Sequence, residues 1–329
     1  MRRGPSIREP KPYALVKIPR DHPEKKEAPT HERFHNLTGK LELDIIVVSE
    51  YLFVGSGDYE VNLREGREEP DVWYTFYRRN GQICIPGTSI KGSIRSILEA
   101  ISNSCVSQFR GNEVGSINIS HRPCRGDKLC PACRIFGTTG YRGRLNFSDS
   151  FLHDGFREDQ IEIVKIPELW EPKRFQDARR FYKTKQFQPL PNKRPERNFR
   201  FVEALRKGTK IQTTMQFENL AEEELGLVFH ALGWKLEGEK INNAFWPKLG
   251  GAKPRCLGAV KFEARRLQLL SPTASAWLSS QIKEGTELLN FLVKCMKECR
   301  KKGLIHQKSW EELVSALRPE NTKCPTGGY

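Results

Sequence analysis

Four residues within a span of thirteen, His121-x2-Cys124-x5-Cys130-x2-Cys133, constrain this chain more than any other feature. Three thiols and an imidazole are the soft and borderline donors of a tetrahedral zinc site, and Cys-x2-Cys supplies two of them from one tight turn. Arg125-Gly126-Asp127 and Pro131 are turn-forming residues that let the chain close around an ion. A shell filled by four protein ligands leaves no open position, so the spacing predicts structural zinc rather than a catalytic metal. Cys105 is the alternative to His121 as fourth ligand, and the competing reading is a set of buried or redox-active thiols. The other six of the nine cysteines are scattered. No apolar run follows Met1-Arg2-Arg3-Gly4-Pro5, so a secretory leader and a disulfide framework are not expected, and these thiols read as packing residues.

The 329 residues carry 55 Lys and Arg against 40 Asp and Glu, a formal charge of +15. A hydrophobic share of 37% excludes a disordered chain. No run approaches the roughly 18 apolar residues of a membrane span, so a cytoplasmic protein without membrane partners is expected. The surplus is unevenly placed. Residues 1–40 hold ten basic against five acidic side chains, and residues 170–210 hold thirteen against four. A solvated basic surface is one reading; a polyanionic partner, nucleic acid before membrane, is the other.

Periodicity divides the chain into a basic arm (1–40), a mixed body (41–267) and a helical extension (268–329). Leu41 to Val48 predicts a first strand, Val72–Tyr77 with Gln82–Ile85 a hairpin around Arg79-Asn80-Gly81, and Pro86 to Ile101 a helix with Ile90, Ile94, Ile97, Leu98 and Ile101 on one face. Strands follow at Gly143–Leu152 and Lys210–Phe217, then a helix to about Leu232 begun by an Asn219/Glu222 capping box. A last strand spans Ala259–Leu267, with helices at about 279–301 and 309–317, the second capped by Ser309 with Glu312. The order is that of an α+β, ferredoxin-like (RRM-like) β-α-β-β-α-β palm. Its insertions are a zinc-binding one at about 105–142 and a basic one at about 153–208.

Two glycine-bearing segments suit an anion. Gly250-Gly251-Ala252-Lys253-Pro254-Arg255 permits close backbone approach beside two cations, although a plain turn fits equally. Pro86-Gly87-Thr88-Ser89-Ile90-Lys91-Gly92 joins a helix N-terminus to two hydroxyls and Lys91, or is an ordinary helix start. Arg142 and Arg144 lie close to the cysteine cluster in sequence and are candidates for the same nucleic-acid surface.

Four segments together resemble the RAMP superfamily of CRISPR-associated proteins. Ile85-Pro86-Gly87-Thr88-Ser89-Ile90-Lys91-Gly92-Ser93-Ile94-Arg95 is similar to that family's "IPGSSLKGxxR" helix start, and Phe53-Val54-Gly55-Ser56-Gly57-Asp58 to its "LHIGSGD" turn. Phe136-Gly137 through Gly143-Arg144-Leu145-Asn146-Phe147-Ser148-Asp149-Ser150 resembles "FG…GRLxFxDA", and Gly250 to Val260 resembles "GGxxSRGxGxV". The resemblance covers roughly 41–150 and 210–267 and points to backbone subunits of type III effector complexes, which act in antiviral defence. It implies a palm with a thumb, formed here by the basic insertion. It also implies a CRISPR RNA partner, with Gly250, Gly251, Lys253 and Arg255 near the guide and Ser89, Lys91 and Arg95 facing its phosphates. Target RNA, other RAMP subunits, the large polymerase-like subunit and small subunits are the remaining implied partners.

In active relatives an aspartate between the first strand and the "IPG" helix cleaves target RNA with Mg²⁺ or another divalent metal, which makes this chain a candidate endoribonuclease. Asp71 stands at the matching distance, and Asp58 is the second candidate. The alternatives are a non-catalytic structural or capping subunit of the same complex, or an endonuclease that processes CRISPR RNA precursors.

Overall fold

A computed structural model describes residues 11–19, 21–63, 70–107, 121–152, 157–169, 178–190, 192–270 and 280–326. Its centre is a sheet built on four strands, β1 (Leu37–Val47), β2 (Ser150–Leu152), β3 (Lys210–Leu220) and β4 (Val260–Leu270). They lie in the order β4-β1-β3-β2, every neighbour antiparallel. Leu145–Phe147 continues β2 along β3, while Gln82–Ile85 and Ser280–Lys283 add strands at the two margins. Among the described residues, five α-helices accompany them: α1 (Gly87–Ile101), α2 (Pro131–Phe136), α3 (Glu222–Ala231), α4 (Gly285–Lys301) and α5 (Gln307–Leu317). The order β1-α1-β2-β3-α3-β4 makes this a mixed α+β fold compatible with a ferredoxin-like unit.

Alternation in β1 sends Leu41, Leu43, Ile45 and Val47 into the core, each at most 1% exposed. The helical face Ile90, Ile94, Leu98 and Ile101 of α1 is fully buried. Each such side chain contributes about 1.5–3 kcal/mol through apolar burial. Asp149 fixes where α1 begins: its Oδ1 accepts the Gly87 amide at 2.9 Å. That contact requires glycine, because a Cβ there would stand 2.0 Å from the Phe147 carbonyl oxygen.

A second, five-stranded sheet joins two stretches that are far apart in sequence. Ile161–Pro167, Phe199–Arg206, Val72–Phe76 and Gly55–Val61 lie in that order, and Tyr51–Leu52 pairs with Phe199–Arg206. The Glu203 carboxylate holds it together by accepting the Phe76 amide at 2.8 Å and pairing with Arg78. Strand Val72–Phe76 thus belongs to this sheet, and the tight hairpin predicted around Asn80-Gly81 is confined to Arg78–Arg79 and Gln82–Ile85.

The basic arm wraps the body. Tyr13–Lys17 pairs antiparallel with Ala178–Tyr182, and Lys26–Glu27 pairs with Lys128–Leu129. Asn219, predicted as a helix cap, is instead a buried clasp for this arm, with φ of 53°. Its side chain accepts the His35 amide at 2.8 Å and donates to the Arg33 carbonyl at 2.6 Å. The start of α3 is closed from within, by Glu224 accepting the Ala221 amide. Likewise α5 begins at His306, whose Nδ1 accepts from the Ser309 amide, and α4 begins only after the strand Ser280–Lys283. Gly143–Leu152 is interrupted, giving two short strands in place of one.

Two of the scattered cysteines do not merely pack. Cys256 and Cys324 form a disulfide across a separation of 68 residues, which contributes about 4 kcal/mol by chain entropy. Spacing offered no sign of this pair, because tertiary folding alone brings the C-terminal tail to the glycine loop. Among the described residues, no helix is long and apolar enough to cross a membrane.

Candidate nucleic-acid interface and metal centre

Helix α1 and the residues that follow it carry Cys105 back to the cysteine insertion. Cys105, Cys124, Cys130 and Cys133 are all buried, with their sulfurs within 4.8 Å of one another. Cys105 Sγ lies 3.3 Å from Cys133 Sγ and 3.6 Å from Cys130 Sγ. Four thiolates 2.3 Å from one zinc ion stand about 3.8 Å apart, so the donor set and its spacing fit a tetrahedral tetrathiolate site. Hydrogen bonding within the cluster splits the four thiols: Cys124 and Cys130 are held below the ordinary thiol range, Cys130 at about 6, while Cys105 and Cys133 are pushed above it.

His121 is not in this group. Its ring is buried and hydrogen-bonded to backbone of the arm at Pro19 and Asp21. Burial pushes its pKa down, and the neighbouring Arg179 charge adds to the effect. The structure therefore assembles the alternative ligand, Cys105, in place of the histidine. The carboxylate of Glu224 seats the insertion, accepting Nε of Arg134 at 3.0 Å and both terminal hydrogen bonds of Arg144 Nη2 at 2.9 Å.

A groove of about 630 Å³ opens beside the N-terminal half of α1. One wall is a stripe of small residues, Ser89, Gly92, Ser93 and Ser96, which helical geometry places on a single face. The opposite walls are the Phe53–Gly55 turn, the glycine loop at Gly250, Gly251 and Lys253, and the strand residues Arg180 to Tyr182. Lys248 lies beneath, and among the described residues no carboxylate lines the groove. Lys248 is 5% exposed, and its Nζ donates to the Leu257 carbonyl at 3.3 Å. Burial pulls its pKa down to about 7, with Lys253 adding repulsion; burial alone lowers Lys253. Two desolvated lysines facing a cavity without an acid form a site suited to an anion.

The expected RNA-facing residues divide between this groove, internal pairings and, for Arg142, the exposed surface. Ser89, Gly250, Gly251 and Lys253 line the groove. Gly250 has φ of 73°, and a Cβ there would stand 2.0 Å from the Phe53 carbonyl oxygen; Gly251 donates its amide to that same oxygen at 2.8 Å. The paired glycines thus serve close approach of the chain to itself. Lys91 donates to Asn146 at 2.8 Å. Arg95 is spent on Glu99 at 2.8 Å, the Gly137 carbonyl at 2.9 Å and the Cys133 sulfur at 3.7 Å. Arg144 is 1% exposed, Arg142 pairs with Glu218, and Arg255 is 2% exposed with Nη2 on the Glu168 carbonyl. The helix N-terminus is occupied internally, by Asp149, which also pairs with Arg79. Ser93, Ser96, Lys248 and Tyr182 were not anticipated. The small-residue spacing along α1 was the available signal for the two serines.

Asp58 and Asp71 are both exposed on the hairpin of Gly55–Val61 and Val72–Phe76. The amide of Asn62 donates to the Asp71 carbonyl, so four residues, about 13 Å along the strand, separate the two acids. They cannot share one ion. The four cysteines are the one group of three or more potential ligands gathered among the described residues.

This geometry fixes an expected result for the metal. Purified protein holds one zinc per chain, Cys105→Ala loses it, and His121→Ala keeps it, as read by elemental analysis of the folded protein. Zinc retained without Cys105 but lost without His121 would restore the histidine to the shell.

No curated protein matches the chain. The RAMP superfamily, in contrast, matches residues 44–261, a span that runs from β1 to the start of β4 and takes in α1, the cysteine insertion and the glycine loop. Such a match carries a CRISPR-associated, RNA-binding role within a Cas complex. Because it spans well over half of the chain and contains the groove and the thiol cluster, the chain belongs to the RAMP superfamily.

Proposed function

We propose that this chain is a backbone subunit of a type III RNA-guided complex, with a ferredoxin-like palm that holds CRISPR RNA in the groove between α1 and the glycine loop. The observation that carries the reading is a lining without an acid among the described residues, with the buried Lys248 and the half-buried Lys253. Phosphates supply the missing counter-charge, and the Ser89, Ser93 and Ser96 hydroxyls supply neutral donors along the same track. A backbone track of this kind holds a guide without reading its sequence, and base pairing does the reading. Target RNA, neighbouring RAMP subunits, the large polymerase-like subunit and small subunits are the partners this role brings.

Binding of oligouridylate RNA to the protein across a salt series tests the groove. Replacing Lys248 and Lys253 together with Gln removes up to two phosphate contacts, so the log–log salt slope falls by about 1.4 and affinity drops about tenfold. Arg142→Gln changes neither. An unchanged slope in the double variant would overturn the groove as the RNA track. The pH dependence has a definite sign: Lys248 is protonated below about 7, so affinity of the wild type rises as pH falls from 8 to 6.

A second element of the reading concerns cleavage. Asp71 and the exposed aromatics Tyr59 and Tyr74 share one hairpin, where a paired target strand can stack and meet the carboxylate. There Asp71 would take the proton of a ribose 2′-hydroxyl as its oxygen bonds to the adjacent phosphorus and the P–O5′ bond breaks, leaving a 2′,3′-cyclic phosphate and a 5′-hydroxyl that takes its proton from water; a divalent ion, where bound, would stabilise the developing charge, and Asp58 has no part. In assembled complex with Mg²⁺, Asp71→Ala abolishes the cut at this subunit and leaves guide binding intact. Persistent cutting at this site would overturn Asp71 as the cleaving residue.

A further inference from the structure

The strand Ala178–Tyr182 faces two ways. Arg180, Phe181 and Tyr182 line the groove, while Arg179 turns into the protein beside the cysteine cluster. Arg179 Nη2 lies 3.4 Å from the Cys105 carbonyl, and the negative groups facing the guanidinium are Glu99, Cys105 and Cys130. Its Nε and Nη1 are buried and, among the described residues, have no hydrogen-bond partner. Glu99 is already engaged by Arg95 and by the Ser107 amide. A buried guanidinium with two unpartnered nitrogens is costly unless a further negative charge lies close by.

Zinc bound by four thiolates is that charge, since the centre is then a dianion. Arg95 approaches it from α1, through Cys133, and Arg179 from the strand, through Cys105. We propose that Arg179 is a positioning residue through which the metal centre seats strand Ala178–Tyr182, and with it the groove wall and the paired arm strand Tyr13–Lys17. With the thiols metal-free and protonated, Arg179 loses its counter-charge, and the strand keeps its edge pairing, Phe181 against the core and Arg180 stacked 5.0 Å over Tyr13. Metal loading therefore sets the shape of the RNA track from the opposite side of the strand. This inference rests on the metal reading of the cluster.

Hydrogen exchange read by mass spectrometry tests it, with zinc content measured on the same samples and oligouridylate affinity as a second readout. In wild type, removing zinc with a chelator raises exchange about tenfold in peptides covering 13–17 and 178–182, while β1 stays protected. Arg179→Gln retains one zinc per chain, shows the raised exchange with the metal bound, and binds RNA more weakly; chelation adds nothing further to the exchange of that strand. Arg179→Lys keeps the charge and recovers part of the protection. Equal protection of 178–182 with and without zinc in wild type, or an Arg179→Gln protein as protected as wild type, overturns the proposal. Wild-type protein that never holds zinc overturns the metal reading, and this inference with it.

Discussion

One buried carboxylate ties the cysteine insertion to the sheet. Glu224, on α3, receives the guanidiniums of Arg134 in α2 and Arg144 at the start of the β2 region, and it also closes the first turn of its own helix. All three residues are at most 7% exposed. Removing one member of such a group leaves an uncompensated buried charge, at a cost of about 3–5 kcal/mol. Arg144 also donates to the Arg134 and Asn219 carbonyls, so the same network reaches the residue that clasps the arm. The placement of the thiol cluster, the course of the arm and the position of the groove wall all follow from this fixed point.

The positive surplus acquires a different meaning once the pairings are known. Much of the basic segment at 170–210 is matched inside the fold: Arg200 with Glu168, Arg206 and Lys193 with Glu162, and Lys183 and Lys185 with Glu320. Arg179 faces the thiols. Among the described residues, Lys248, Lys253 and Arg180 are the cations that line the groove, with Lys248 buried and Lys253 half-buried. On the proposed reading, recognition of a phosphate chain depends on where these few cations sit, not on how many lysines the segment contains.

The sequence was most readable where a single period governs. The alternation of β1 and β3, the apolar face of α1 and the order of elements in the palm follow from local pattern, because burial on one face dictates it. The thiol cluster was legible from Cys-x2-Cys, but its fourth member was not settled. His121 and Cys105 are both buried, and only the return of the chain after α1 decides which sulfur or nitrogen arrives. Arg95 was expected at RNA from the family resemblance and Arg144 from its charge, but Arg95 is held by Glu99 one turn along its own helix and Arg144 by Glu224 on α3. The union of two distant stretches in one sheet, and the Cys256–Cys324 bond, are products of tertiary folding that no local window contains.

The central claim is that RNA runs between α1 and the glycine loop. Ultraviolet cross-linking of the copurified complex, followed by mass spectrometry of the peptide–RNA adducts, measures this most directly. The account predicts adducts on peptides containing Ser89 to Ser96, Lys248 to Lys253 and Tyr182. Adducts absent from all three and confined to surfaces remote from this groove would contradict it.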